Sequence, residues 1–293
     1  MTAATVTPTP ALPPAFPTDS TATHAPISRL LRSELSVVFR RPRTWIALVL
    51  LALVPVVIAI GVLVSKGPRN GNGGPIIGNL VGNGLVLPVV ALTVTLAVLL
   101  PLVGAMWSAD ALAGESSHGT LRALLVAPVG RVRLLVVKSF GVAVAVLAAS
   151  ALIAIVGMIT GLLLIGSNGM ITLDGTTLNF GGALLRVAVA TGWVAVQVWA
   201  VCAVALAVSA CTDHPMVVMA ATLAGAIVFG VLTTIPSLDW LQPYLLTTSW
   251  ASLPDVLRDP MPTTGLIHGL AVAGCYGLIG WSLALARVIT KDG

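Results

Sequence analysis

Six long stretches of the chain contain no Asp, Glu, Lys or Arg: 44–64, 86–108, 139–166, 187–210, 215–236 and 265–286. Each is apolar almost throughout. A membrane-spanning helix needs about 20 such residues at ~1.5 Å rise each. A charge at the bilayer centre costs about 2.5–3.5 kcal/mol on insertion scales, so charge-free runs of this length are informative. The runs are continuous rather than alternating, which excludes a closed barrel. The pattern predicts an all-α membrane protein with six transmembrane helices.

Residues 28–43, SRLLRSELSVVFRRPR, follow a different rule. Leu30, Leu31, Leu35, Val38 and Phe39 recur at helical spacing, with Arg29, Arg32, Glu34, Arg40 and Arg41 between and after them. That is an amphipathic helix for the membrane interface, an elbow before the first span. Pro42 then turns the chain. Residues 1–27 carry six prolines and no basic residue, which predicts a disordered cytosolic tail and not a signal peptide. The expected domains are therefore this tail, the elbow helix 28–43, and a six-helix unit over 44–290.

The connections divide into two kinds. The segment 65–85 holds seven glycines and four asparagines, a composition for a mobile loop. In 167–186, Asp174-Gly175 sits between two alternating runs and predicts a small β-hairpin on the outer face. The segment 237–264 places Trp240, Tyr244 and Trp250 among prolines. Its aromatics suit the headgroup level, with short helices dipping into the interface.

Composition sharpens the picture. Only 9% of the 293 residues are charged and 57% are hydrophobic, with a mean hydropathy of +1.03. Soluble domains carry about a quarter charged residues. An ordinary cytosolic enzyme, a disordered protein and a nucleic-acid binder are excluded. The net charge of +5 sets orientation instead. With the N-terminus inside, eleven basic residues (Arg29, Arg32, Arg40, Arg41, Arg43, Arg122, Arg131, Arg133, Lys138, Arg287 and Lys291) face the cytosol and four (Lys66, Arg69, Arg186 and Arg258) face out. Both termini are expected in the cytosol. Cys202, Cys211 and Cys275 lack CxxC spacing, so neither a disulfide framework nor a metal site is indicated.

Candidate chemistry inside the spans is sparse. Gln197 and His268 are the most polar side chains expected at mid-membrane. Gln197 reads as an interhelical hydrogen bond or a substrate contact, and His268 as a packed helix residue. No acid lines any span, whereas ion-coupled transporters commonly place one there. Gly157-xxx-Gly161 and Gly265-xxx-Gly269 are small-xxx-small patterns, weak as dimer signals. No GxxxxGK[ST] is present, so the chain has no P-loop of its own for ATP phosphates. Active transport would draw its energy from a separate ATPase.

The most informative connection is 109–138, ADALAGESSHGTLRALLVAPVGRVRLLVVK. Ser116 or Ser117 is suited to cap a helix. Thr120–Leu125 then reads as a short helix with Leu121, Leu124 and Leu125 on one face. Pro128 and Gly130 stop it. Arg131, Arg133 and Lys138 hold the start of the third span at the inner surface. A short displayed helix with an apolar face suits docking into a groove on another protein.

These residues resemble a known family. Glu115-x-x-x-Gly119-Thr120-Leu121-x-x-Leu124-Leu125-x-x-Pro128-x-x-Arg131, followed by Lys138, is similar to the cytosolic loop of type-2 ABC exporter permeases. The elbow helix, the six spans and the short helices before the sixth fit the same family, over roughly residues 28–290. The resemblance implies a transport subunit and not an enzyme. It implies a twelve-helix core of two permease chains, either a homodimer or a pair of related subunits. Two P-loop ATPase subunits carrying ATP and Mg would sit below it. It implies that Gly119–Leu125 is the coupling helix, with Asp110 and Glu115 near the ATPase contact. Leu121, Leu124 and Leu125 would then fill a groove on the ATPase. Arg122 would pair with a carboxylate there, Glu115 would meet a basic residue of the ATPase or the elbow, and Gly119 would permit a turn or close approach. His118 and Gly130 depart from the commoner pattern, and the tail 1–27 is an addition. The reading is an exporter of an amphipathic or lipid-like substrate (a drug, lipid or peptide) in a bacterial plasma membrane. The alternatives from other classes are a non-transporting signalling or assembly protein docking a cytosolic partner, and a membrane-embedded enzyme, for which no clustered catalytic set is visible.

Overall fold

The computed structural model describes residues 27–64, 83–114, 131–166 and 170–290. Helix α1 (Ile27–Arg40) is followed at once by α2 (Pro42–Val64). Then come α3 (Leu87–Ala97), α4 (Leu99–Ala111) and α5 (Arg131–Thr160), which continues as a π-turn over Gly161–Ile165. Strands β1 (Met170–Ile171) and β2 (Thr177–Leu178) precede α6 (Phe180–Cys211) and α7 (Pro215–Leu232). Short 3-10 turns and α8 (Leu246–Ser249) lead to α9 (Thr263–Thr290). Five helices are long and apolar enough to cross a membrane, and the bent pair α3–α4 makes a sixth crossing if counted as one span. The protein is an all-α multi-pass membrane protein.

Helix α6 is the hub, packing along α9 and touching α4, α5 and α7. Its approach to α9 depends on glycine. A Cβ on Gly280 would lie 2.6 Å from the backbone of Ala203. The two small-xxx-small patterns serve packing of the same kind. A Cβ on Gly157 would sit 3.0 Å from Pro88, one on Gly161 would collide with the Gly84 carbonyl, and one on Gly269 would lie 2.8 Å from the Trp193 ring. These contacts lie within the chain.

Two helices, α5 and α6, start seven or eight residues before their charge-free windows, and each takes a largely buried cation inside. Helix α5 begins at Arg131, so Lys138 lies two turns in and is only 5% exposed. It was expected at the inner surface; a carboxylate from α1 is what allows its burial. Helix α6 begins at Phe180, ahead of Arg186. The Arg186 guanidinium donates to the carbonyls of Val256 (2.9 Å) and Arg258 (2.7 Å) and meets the Asp259 carboxylate at 3.3 Å. The predicted second span differs most. It breaks at Val98 (φ −144°, ψ −49°), where the span bends by 57°. Pro101 has no N–H for the carbonyl of Ala97, and its ring crowds that carbonyl.

The hairpin is present, antiparallel with Met170 opposite Leu178 and Ile171 opposite Thr177. Gly175 sits at φ 85°, the left-handed conformation that the turn requires. Leu173 N–H donates to the Leu257 carbonyl, and Asp259 N–H to the Asp174 carboxylate. Hairpin and 3-10 segment thus close one end of the bundle, the hairpin end. The opposite end carries α1 and is the elbow end.

Candidate functional site

The elbow end carries two adjoining ionic clusters. Helix α1 presents one stripe inward, with Leu30, Leu31, Leu35 and Phe39 partly buried and Val38 buried. Glu34 stands in that stripe, half-buried, while Arg29, Arg32 and Arg40 point to the exposed side. Both Glu34 oxygens accept from Lys138 Nζ on α5, at 3.0 and 2.9 Å. Close approach requires Gly141, since a Cβ there would lie 2.9 Å from Glu34 Cγ. A bidentate partner is what makes a buried ammonium tolerable.

The second cluster caps α4. Asp110 lies in its last turn, where the helix dipole disfavours a carboxylate. Arg41 Nη1 at 3.3 Å and Arg43 Nη1 at 3.9 Å offset that. Arg41 occupies the corner between α1 and α2, where Trp45 Nε1 donates to the Phe39 carbonyl at 2.8 Å. Glu34, Arg41, Trp107 and Asp110 line one cavity of about 10 Å³, so the two clusters adjoin. From the other side α6 holds α4. Ser209 Oγ accepts from Ala113 N–H at 3.0 Å, and Ser108 Oγ donates to the Cys202 carbonyl at 3.3 Å.

Of the residues singled out in the 109–138 connection, Asp110 is described and Arg131 opens α5. Glu115, Gly119, Thr120, Leu121, Arg122, Leu124, Leu125 and Pro128 lie outside the described residues. The two roots of that connection are therefore visible. One is clamped to the α1–α2 corner and to α6, the other to α1 through Lys138.

At its far end α4 meets the break at Val98. There Ala97, Val98, Pro101 and Leu102 face Thr222, Leu223, Ala226, Ile227 and Gly230 of α7 across a cavity of about 220 Å³. The lining is apolar apart from Thr222, whose hydroxyl donates to the Val218 carbonyl. One half-helix thus runs from the ionic cluster to this cavity.

Gln197 is fully buried and committed to the protein. Its Nε2 donates to the Gly269 carbonyl on α9 at 3.0 Å, and its Oε1 accepts from Ser249 Oγ at 3.4 Å. Of its two readings, the interhelical hydrogen bond describes these contacts. His268 lies toward one end of its helix and not at its middle. Helix α9 begins at Thr263, so His268 stands in its second turn, exposed, with Nε2 2.8 Å from the Pro243 carbonyl at the hairpin end. Sequence reasoning missed the Glu34–Lys138 pair. Its available signal was the one acid of α1 falling inside the apolar stripe.

Residues 29–252 match a family described as ABC-2 family transporter protein. The chain belongs to the ABC-2 transporter family. It is accordingly a membrane permease subunit of an ABC transporter, a transport subunit of a kind that works with an ABC ATPase. The match begins within α1 and ends in the 3-10 segment that follows α8, so it takes in both ionic clusters, the broken span and the hub helix. No curated protein matches the permease.

Proposed function

We propose that this permease exports an amphipathic or lipid-like substrate, a drug, lipid or peptide, from the cytoplasm across a bacterial plasma membrane. In this reading the elbow end faces the cytosol, an orientation that the 11-to-4 excess of basic residues supports. Two permease chains form the core and two P-loop ATPase subunits carrying ATP and Mg dock beneath it, on the coupling helix Gly119–Leu125. The observation that carries the reading is α4 itself. It is a half-span of 13 residues with Asp110 clamped at one end and the apolar cavity against α7 at the other. A displacement of the docked loop would pass along this rigid piece to the cavity, because the break at Val98 frees it from α3. The apolar lining favours a substrate with a large apolar part.

The test is reconstitution of the permease with its ATPase in vesicles. Leu121→Asp combined with Leu125→Asp should leave the permease folded and abolish substrate-stimulated ATP hydrolysis. Asp110→Ala should retain ATPase binding and lower the coupling ratio. Normal coupling in the double leucine variant would overturn the reading.

A further inference from the structure

The two ionic clusters of the elbow end share a small cavity where α1, α2, α4 and α5 converge. Helix α4 contributes Trp107 and Asp110, which stand at i and i+3 and so share a face. Glu34 comes from α1, Arg41 from the corner, Thr44 from α2 and Val142 from α5. Trp107 is only 5% exposed, and its indole Nε1 finds no acceptor among the described residues. Trp193, 4% exposed, is the contrast: its Nε1 donates to the Leu266 carbonyl at 3.0 Å. A buried N–H without an acceptor is costly. Native proteins supply one, from the chain or from ordered water, in the large majority of cases. At Trp107 the cavity is where that acceptor must sit.

Volume and charge identify the occupant. The cavity measures about 10 Å³, close to what a single water molecule requires. Such a water also needs about two to four polar partners. Trp107 offers a donor. Glu34 and Asp110 offer carboxylate oxygens, each with lone pairs beyond those taken up by Lys138 and Arg41. Thr44, 1% exposed, adds a hydroxyl-bearing wall. A cation does not suit the place, because Lys138 and Arg41 already balance the two carboxylates and the space is too small for a hydrated ion. We propose that this cavity is a binding site for one water molecule, which accepts from Trp107 Nε1–H and donates to Glu34 and Asp110. The two clusters thereby become one hydrogen-bonded network. It runs from Lys138 on α5 through Glu34 on α1 and the water to Asp110 and Arg41. The root of the 109–138 connection is then tied to the elbow helix itself, in addition to the corner arginines. The site does not rest on the exporter reading.

Solid-state NMR of the full-length permease in bilayers, isotope-labelled at the tryptophan indole nitrogens and at the carboxylate carbons, tests it. Trp107→Phe keeps an aromatic ring and identifies the Trp107 N–H peak by its loss. In the wild type that peak should show a cross-peak to water. The Trp193 peak should show none, since its N–H goes straight to a carbonyl, and its position reports that each variant is folded. Val142→Ile and Val38→Ile each add a methyl group at the cavity wall, from α5 and α1 respectively, and should remove the water cross-peak. A folding defect in one of them leaves the other. Glu34→Gln retains an acceptor for Lys138 and should shift the Trp107 peak; in the Val142→Ile background that shift should be lost. A wild-type Trp107 peak without a water cross-peak would overturn the proposal. Direct transfer from Trp107 Nε1 to a carboxylate carbon in place of water would do the same, because the indole would then bond to Asp110 itself. A water cross-peak of full strength in both valine variants would place the water elsewhere and so overturn the site. The same Glu34→Gln shift with and without Val142→Ile would overturn the network.

Discussion

Helices α6 and α7 are joined by three residues, Thr212 to His214, and their most apolar windows have the same mean hydropathy, 2.2. Yet 61% of the α6 window is buried inside the protein and 6% of the α7 window. The contrast shows that apolarity sends a segment into a bilayer without deciding whether lipid or protein will surround it. Lipid tails are as apolar as leucine, so packing and polar ties decide. Helix α6 buries Ala183, Ala190, Ala195, Ala200, Ala205 and Ala210, which let neighbouring backbones approach, and ties itself to others through Trp193, Gln197 and Ser209. Of the α7 residues Val218 is buried, while Met216, Val217, Val228 and Val231 face outward.

The sharpest test of this contrast is thiol chemistry. Cys202 on α6 is buried, Cys211 at its end is exposed, and Met216 on α7 is 83% exposed. Cys211 and Met216→Cys should react readily with a maleimide in detergent. Cys202 should react roughly 100-fold more slowly or worse, the factor for an opening that costs about 3 kcal/mol. Comparable rates would break the comparison.

The ion pairs extend it to charge. Lys138→Met should cost about 3 kcal/mol, because it leaves the Glu34 carboxylate without its close partner. Adding Glu34→Leu should restore much of that. Arg43→Met, at a pair whose arginine is 73% exposed, should cost well under about 1 kcal/mol. Thermal unfolding in detergent reads all three.

Glycine substitutions give the next effect. Gly280→Leu must push against the Ala203 backbone and should cost about 1–3 kcal/mol or more. Gly225→Leu on α7, with nothing within 4 Å of its new Cβ, should leave stability unchanged. Equal losses would place α7 in an interface. The smallest effect belongs to hydrogen bonds. Gln197→Leu should cost about 1 kcal/mol, a typical value for an interhelical bond in a membrane, and Thr222→Val less still.

These features were unequally legible in the sequence. The apolar helices follow from charge-free runs, because a bilayer penalises each charge separately and the penalty is local. The hairpin follows from Asp174-Gly175, since left-handed backbone is also a local requirement. The break at Val98 was hidden. Pro101 lies beside it, but Pro55 sits inside an unbroken α2, so proline alone does not decide, and the packing against α7 is a long-range fact. Glu34 and Lys138 stand apart by 104 positions, and nothing in either neighbourhood names the other. The polarity of Gln197 was visible, while its partner, a backbone carbonyl of Gly269, carries no side-chain signature. His268 is the fourth residue of its charge-free window, so its place near the start of α9 was legible, whereas its partner, the Pro243 carbonyl, carries no side-chain signature.

The 104-residue separation of Glu34 and Lys138 also sets a timetable. A ribosome adds about 5–20 residues per second, so roughly 5–20 s pass between the synthesis of the acid and the arrival of its ammonium. During that interval α1 has no reason to leave the membrane surface, and α2 and the bent α3–α4 pair enter the bilayer beside a loose elbow. Only the third crossing brings the charge that draws α1 inward. The pair is thus a latch that closes only when α5 arrives, after α2 and the α3–α4 pair have been made and with more than half of the chain still to come.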